Sequence, residues 1–231
     1  AQAAMAQMIQ TGIRHHNAGQ LAQAEAIYRQ VLQIELARPD ALNLLGLIAH
    51  QTGHNEQAVS LIKKAISANK RVPDYHHNLG NILLALGHFD EAEACMREAL
   101  TLAPSAEVNN NLGNALQTQG RIAEAIECYR RAVKLKPDSP VMWNNLGGVL
   151  QALGAIEEAI LCYRRALEFA PDYVDAMFNL GNAFCDQYRF ADAITWFEKV
   201  LRVHPNLAIA HCNLGHALQR QGRLSEALAS F

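Results

Sequence analysis

Very little in this chain is charged, aromatic or arranged for chemistry. Charged residues make up 18% of its 231 positions and the formal net charge is −2, so bulk electrostatics supply no attraction for nucleic-acid phosphates or an acidic membrane surface. Aromatic residues are scarcer still, at 6%, and none is interleaved with basic positions as a nucleic-acid stacking site requires. No apolar run approaches the roughly 18 residues of a membrane-spanning helix. The five cysteines form an odd set without a CxxC pair, which fits a reducing, cytoplasmic setting better than a disulfide framework. Glycine-rich phosphate loops, zinc-helix motifs and nucleophile elbows are missing. Catalytic residues, metal ligands and cofactor sites are therefore not expected. The N-terminus, AQAAMAQMIQ, has neither an initiator Met nor a basic start followed by an apolar core, and reads as trimmed.

What is present is repetition. Gly12, Gly46, Gly80, Gly113, Gly147, Gly181 and Gly215 recur at steps of 34, 34, 33, 34, 34 and 34 residues, and from Gly46 onward each follows a Leu. Ala24, Ala58, Ala92, Ala125, Ala159, Ala193 and Ala227 trail these glycines by twelve residues. Such periodicity means one supersecondary unit copied along a line, each copy touching only its neighbours. Within a copy the apolar spacing is helical. Trp143, Leu146, Gly147 and Leu150 fall at i, i+3, i+4 and i+7, and Ala159, Tyr163 and Ala166 resume the pattern after Gly154. This predicts a first helix over 140–153 and a second over 157–169, with Gly154 as the left-handed C-terminal residue between them. Pro104, Pro137, Pro171 and Pro205 should close the second helices. Gly147 and Ala159 should let the pair approach closely, with Tyr163 over the gap.

A unit of this length, with Leu-Gly, a later Ala, an aromatic four residues on and a terminal Pro, resembles the tetratricopeptide repeat. The resemblance implies an all-α, right-handed superhelical solenoid forming one domain over 1–231. The units fall at 5–38, 39–72, 73–105, 106–139, 140–173 and 174–207, with a partial one at 208–231. The third unit is one residue short, Tyr188 replaces the inter-helix glycine of the sixth, and the first two lack the terminal Pro. Because the chain stops inside a second helix, it is expected to be a piece of a longer protein. Its open apolar end is expected to dock on another copy, giving a homo-oligomer.

In this family the first helices line the concave side. Two residues before the marker glycine stand Asn78, Asn111, Asn145, Asn179 and Asn213; one residue after it stand Asn81, Asn114, Asn182 and His216, with Gly148 interrupting. Carboxamides offer a donor and an acceptor at fixed reach, which suits the backbone of an extended peptide. The eight asparagines are the candidate peptide-binding residues, flanked by Asn110, Asn144, Gln117, Gln151 and Gln219. The same residues could instead join neighbouring helices to one another. A comparable ladder occurs in O-linked N-acetylglucosamine transferases, whose units resemble AIECYRRAVKLKPD and HCNLGHALQRQGRLSEAL here. That resemblance implies a substrate-recognition region with a separate glycosyltransferase domain elsewhere in the parent protein. The cationic clamp that other such modules use for chaperone C-termini is missing, because Asn43, His77, Asn110 and Asn144 fill its lysine places. Arg29, Lys63, Arg97, Arg130 and Arg164 form a stripe on the second helices, but Glu91, Glu124, Glu158 and Asp192 share it, as on a solvated mixed-charge face. The expected partner is a protein or peptide, with neither nucleic acid nor membrane; the competing role is a self-associating assembly scaffold.

Overall fold

The computed structural model describes residues 2–230, which contain fourteen α-helices and no strand. They follow as pairs: α1 (Gln2–Asn17) with α2 (Leu21–Ile34), α3 (Pro39–Gln51) with α4 (Asn55–Ala68), α5 (Pro73–Ala85) with α6 (Phe89–Leu102) and α7 (Ala106–Thr118) with α8 (Ile122–Leu135). Then come α9 (Pro140–Ala152) with α10 (Ile156–Phe169), α11 (Val174–Asp186) with α12 (Phe190–Val203), and α13 (Ala208–Arg220) with α14 (Leu224–Ser230). Their contacts group into two compact units, one ending at Ala115 and one beginning at Leu116. Helices pack on their neighbours in sequence from α1 through α6 and from α8 through α14, and first helices also meet directly, α3 with α5, α9 with α11 and α11 with α13.

The helix boundaries follow from backbone chemistry. Pro39, Pro73 and Pro140 occupy the first turn of α3, α5 and α9, where a missing N–H costs nothing and φ is already helical. Pro104, Pro137, Pro171 and Pro205 each lie two residues past the end of a second helix, consistent with a stop that proline enforces. Between the helices of a pair the chain reverses through a left-handed residue. It is glycine in six turns, with φ from 74° at Gly19 to 87° at Gly154, and Tyr188 in the seventh, with φ 59°. The bond pattern there is unchanged: Tyr188 N donates to Cys185 O and Arg189 N to Phe184 O, both at 2.9 Å, as Gly19 and Gln20 do to His16 and His15.

Pairs interlock through the two small-residue series. The trailing alanines are fully buried from Ala24 through Ala193. A Cβ added to Gly147 would stand 2.6 Å from Cε1 of Tyr163, and one on Gly181 would stand 2.6 Å from Cε1 of Phe197. Glycine is thus required so that a ring from the second helix can rest on the first. In the other unit the same seat holds Tyr28 against Gly12, Ile62 against Gly46 and Met96 against Gly80.

Candidate functional site

The ladder asparagines sit mid-way along the first helices, where the Leu preceding each marker glycine turns into the core and the residue before it turns toward the preceding pair. Asn78, Asn111, Asn145, Asn179 and Asn213 are all half-buried, as are Asn81 and Asn182, while Asn114 is exposed. The carboxamides bond across successive first helices by a simple rule. Asn111 Nδ2 donates to Asn81 Oδ1 at 2.9 Å and Asn213 Nδ2 to Asn182 Oδ1 at 2.8 Å. In each case the acceptor is the asparagine just after the preceding marker glycine. Where that place is Leu47 or Gly148, the donor turns to the asparagine three residues before the glycine: Asn78 Nδ2 reaches Asn43 Oδ1 and Asn179 Nδ2 reaches Asn144 Oδ1, both at 3.0 Å. Two places one helical turn apart therefore serve as alternative acceptors for the same donor.

His77 brings a third component. Its Nε2 lies 3.0 Å from Asn81 Nδ2 and 3.2 Å from Asn111 Nδ2. Accepting from these amides requires the neutral ring with its proton on Nδ1. Burial pushes the His77 pKa down, opposed by the carboxylates of Glu107 and Asp74, so the neutral form is favoured. Asn111 is the most committed of the ladder amides, since its Oδ1 also takes a bond from Asn110 Nδ2 at 3.4 Å. By contrast Asn78, Asn179 and Asn213 each donate a single carboxamide bond within the ladder. Neither Asn114 nor Asn145 lacks a partner.

Glutamines flanking the ladder belong partly to the stack. Gln117 Oε1 accepts from Tyr129 Oη at 2.9 Å and Gln151 Oε1 from Tyr163 Oη at 2.8 Å, while Gln151 Nε2 donates to Asp186 Oδ2 at 2.6 Å. Two participants were not singled out as ladder residues from sequence: buried Asn43, and His77 as an acceptor. The signal was available, because both stand three residues before a marker glycine, as Asn144 does.

Four of the five stripe residues on the second helices are neutralised locally, Arg29, Lys63, Arg97 and Arg130. Lys63 pairs with Glu91 at 3.4 Å and Arg130 with Glu158 at 3.1 Å across successive pairs, and Arg29 with Glu25 at 2.6 Å along one helix. Adjacent histidines diverge: His76 Nε2 lies 2.9 Å from Lys70 O, away from the ladder, and His16 Nε2 lies 2.9 Å from Gln51 Oε1. Among the described residues no group of three or more His, Cys, Asp or Glu could hold a metal ion, and no helix is long and apolar enough to cross a membrane.

Models of the tetratricopeptide repeat match residues 37–105, 77–140 and 110–174, and a TPR repeat model matches 181–222. The chain belongs to the tetratricopeptide repeat family, whose members are in general protein–protein interaction modules. Several solved structures share the fold. One, from work on the functional characterization of Pseudomonas aeruginosa pilF, superposes with a TM-score of 0.80 at 20% identity, covering 89% of this chain and 94% of that one. YrrB, described as a TPR protein with an unusual peptide-binding site, gives 0.67 at 18% identity over 79% and 95%. The APC/C hetero-tetramer Cut9-Hcn1 gives 0.75 at 18% identity over 91% of this chain and 42% of that one. At such identities the likeness concerns the fold alone. The sequence matches no curated protein by direct comparison.

Proposed function

We propose that the face built by the first helices takes an extended segment of another polypeptide. In this reading its backbone is bonded by the spare N–H and C=O groups of Asn78, Asn179, Asn182 and Asn213, with Asn81, Asn111, Asn114 and Asn145 completing the floor. One observation carries the reading: a half-buried carboxamide recurs once per helix pair from Asn78 to Asn213, and those of Asn78, Asn179 and Asn213 each donate one bond within the ladder. Helices packed roughly 8–10 Å apart match about three residues of an extended chain rising ~3.3 Å each, so within each compact unit successive pairs meet equivalent stretches of guest backbone. Contacts of that type favour many sequences over one. The finer role is that of a substrate-recognition arm in a protein like the O-linked N-acetylglucosamine transferases, with catalysis residing in another part of the parent.

A peptide selected on this protein from a random twelve-residue library tests the reading. Asn179→Ala combined with Asn213→Ala, both in the second unit, should weaken its affinity at least tenfold while the thermal midpoint falls only a few degrees, as two modest hydrogen bonds warrant. N-methylation of the peptide backbone should weaken it similarly. Unchanged affinity with a steep loss of stability would assign the ladder to helix joining alone. Leu224 and Leu228, 59% and 77% exposed one turn apart on α14, favour the competing scaffold role. A solution mass of two chains, reduced to one by Leu224→Ser with Leu228→Ser, would support it.

A further inference from the structure

Tyr188 is the place where local rules and observed structure disagree. Every other inter-helix turn described uses glycine for its left-handed residue, and Tyr188 takes φ 59° with a full side chain, a conformation that costs a bulky residue conformational energy. Burial does not compensate, because Tyr188 is 73% exposed. Its hydroxyl has no partner. What the strained backbone does is hold the ring edge-on to Phe190, centroids 6.2 Å apart and planes at 88°. Over this pair lies the guanidinium of Arg220, the last residue of α13, 5.2 Å from the Phe190 ring and 5.9 Å from that of Tyr188. Among the described residues Arg220 has no ion-pair partner, whereas its neighbour Arg189 is bound to Asp192 at 2.7 Å and stacked 4.5 Å over Phe184. Backbone strain without a stabilising return is a mark of functional sites, and exposed Tyr and Arg are the residues that dominate protein interfaces.

We propose that Tyr188, Phe190 and Arg220 form a second docking surface, separate from the asparagine ladder, for a partner segment that carries a carboxylate beside a tyrosine or proline ring. The two rings fix the plane of the Arg220 fork, which can then receive a carboxylate through two parallel N–H bonds. The open face of Tyr188 receives that ring, stacked if it is tyrosine and packed through its C–H groups if it is proline. Charge selects this partner over nucleic acid: Arg220 is the one guanidinium set against the Tyr188 and Phe190 rings, and a phosphate track needs several cations. The surface lies at the turn end of α11 and α13, away from the mid-helix amides, and stands whether or not the ladder binds peptide.

The test uses two fluorescent twelve-residue peptides in a Gly-Ser background, one with a central Glu-Tyr-Pro-Glu and one with Gln-Tyr-Pro-Gln, read by anisotropy on the whole chain. Wild-type protein should prefer the acidic peptide at least tenfold. Arg220→Gln should erase that preference without moving the thermal midpoint. Tyr188→Gly should weaken binding at least tenfold yet raise the midpoint by roughly 2–4 °C through relief of strain. Asn179→Ala should leave this binding within twofold, which separates the result from any outcome at the ladder. Equal affinity for the two peptides, no binding of the acidic one, or a lowered midpoint for Tyr188→Gly would each overturn the proposal.

Discussion

The unit that ends at Ala115 and the unit that begins at Leu116 use the same helix pairing but finish their interiors differently. In the second, Tyr163 is buried beneath Gly147 and its hydroxyl donates to Gln151 at 2.8 Å. In the first, Tyr28 is equally buried beneath Gly12, but its hydroxyl finds no partner. The residue twelve positions before it is His16 rather than glutamine, and that ring is turned to Gln51 at 2.9 Å. The first unit holds seven of the ten histidines, one of them built into its amide ladder. One architecture therefore leaves a buried tyrosine hydroxyl unbonded and builds a histidine into its amide ladder in the first unit, and bonds the tyrosine seat at Gly147 in the second.

Neighbouring glycines give the strongest probe of those seats. Gly147→Ala forces a Cβ to within 2.6 Å of the Tyr163 ring, and overpacking of that kind is expected to cost about 1–3 kcal/mol. Gly148 has nothing within 4 Å of the same added atom. Gly148→Ala should therefore stabilise α9 by about 0.5–1 kcal/mol, the ordinary penalty of glycine inside a helix. Urea unfolding should give opposite signs for the two substitutions; equal signs would mean that the ring does not rest on the glycine.

Removing single hydroxyls sharpens the contrast between the units. Tyr163→Phe leaves Gln151 without its donor and should cost about 1 kcal/mol, whereas Tyr28→Phe deletes a buried group that has no bond to lose and should be neutral or stabilising. Losses of the same size at both positions would show that Tyr28 is bonded in solution.

The smallest effect concerns pH. Burial lowers the His77 pKa in the folded chain, so the unfolded chain, with histidine near its ordinary value of about 6.5, takes up the proton first. Stability from this group is complete above about pH 6.5 and is lost as pH falls toward the lowered folded value. Protonation also turns Nε2 from an acceptor into a donor facing two amides. Amide protection factors in α5 and the first part of α7, taken relative to the intrinsic exchange rate at each pH, should fall on acidification while those of α11 and α13 change less, and His77→Gln should remove the difference. Identical acid responses in all four helices would place the sensitive group elsewhere.

Much of this was legible from residue types alone. The 34-residue step, the Leu-Gly and Ala seats and the closing prolines specify paired helices, because each reports a local steric demand that any copy must meet. Tyr188 announced itself as a departure from the glycine series. Less accessible were the ladder's actual bonds. Asn78 and Asn111 occupy equivalent places, yet one reaches Asn43 and the other Asn81, because the choice rests on whether the preceding pair offers Leu47 or an amide one turn further along. The cluster of Tyr188, Phe190 and Arg220 was equally hidden, since Arg220 is separated from Tyr188 by a whole helix pair.

Residue order thus determined the period, the helix pairing and where each pair must turn, since those follow from φ preference, side-chain volume and apolar spacing within a few residues. Which carboxamide met which acceptor, which tyrosine hydroxyl was left unbonded and which arginine came to rest on two rings were decided by tertiary packing. Those outcomes rest on distances between helices that are remote in sequence, and in those contacts a shift of a single ångström makes or breaks a hydrogen bond.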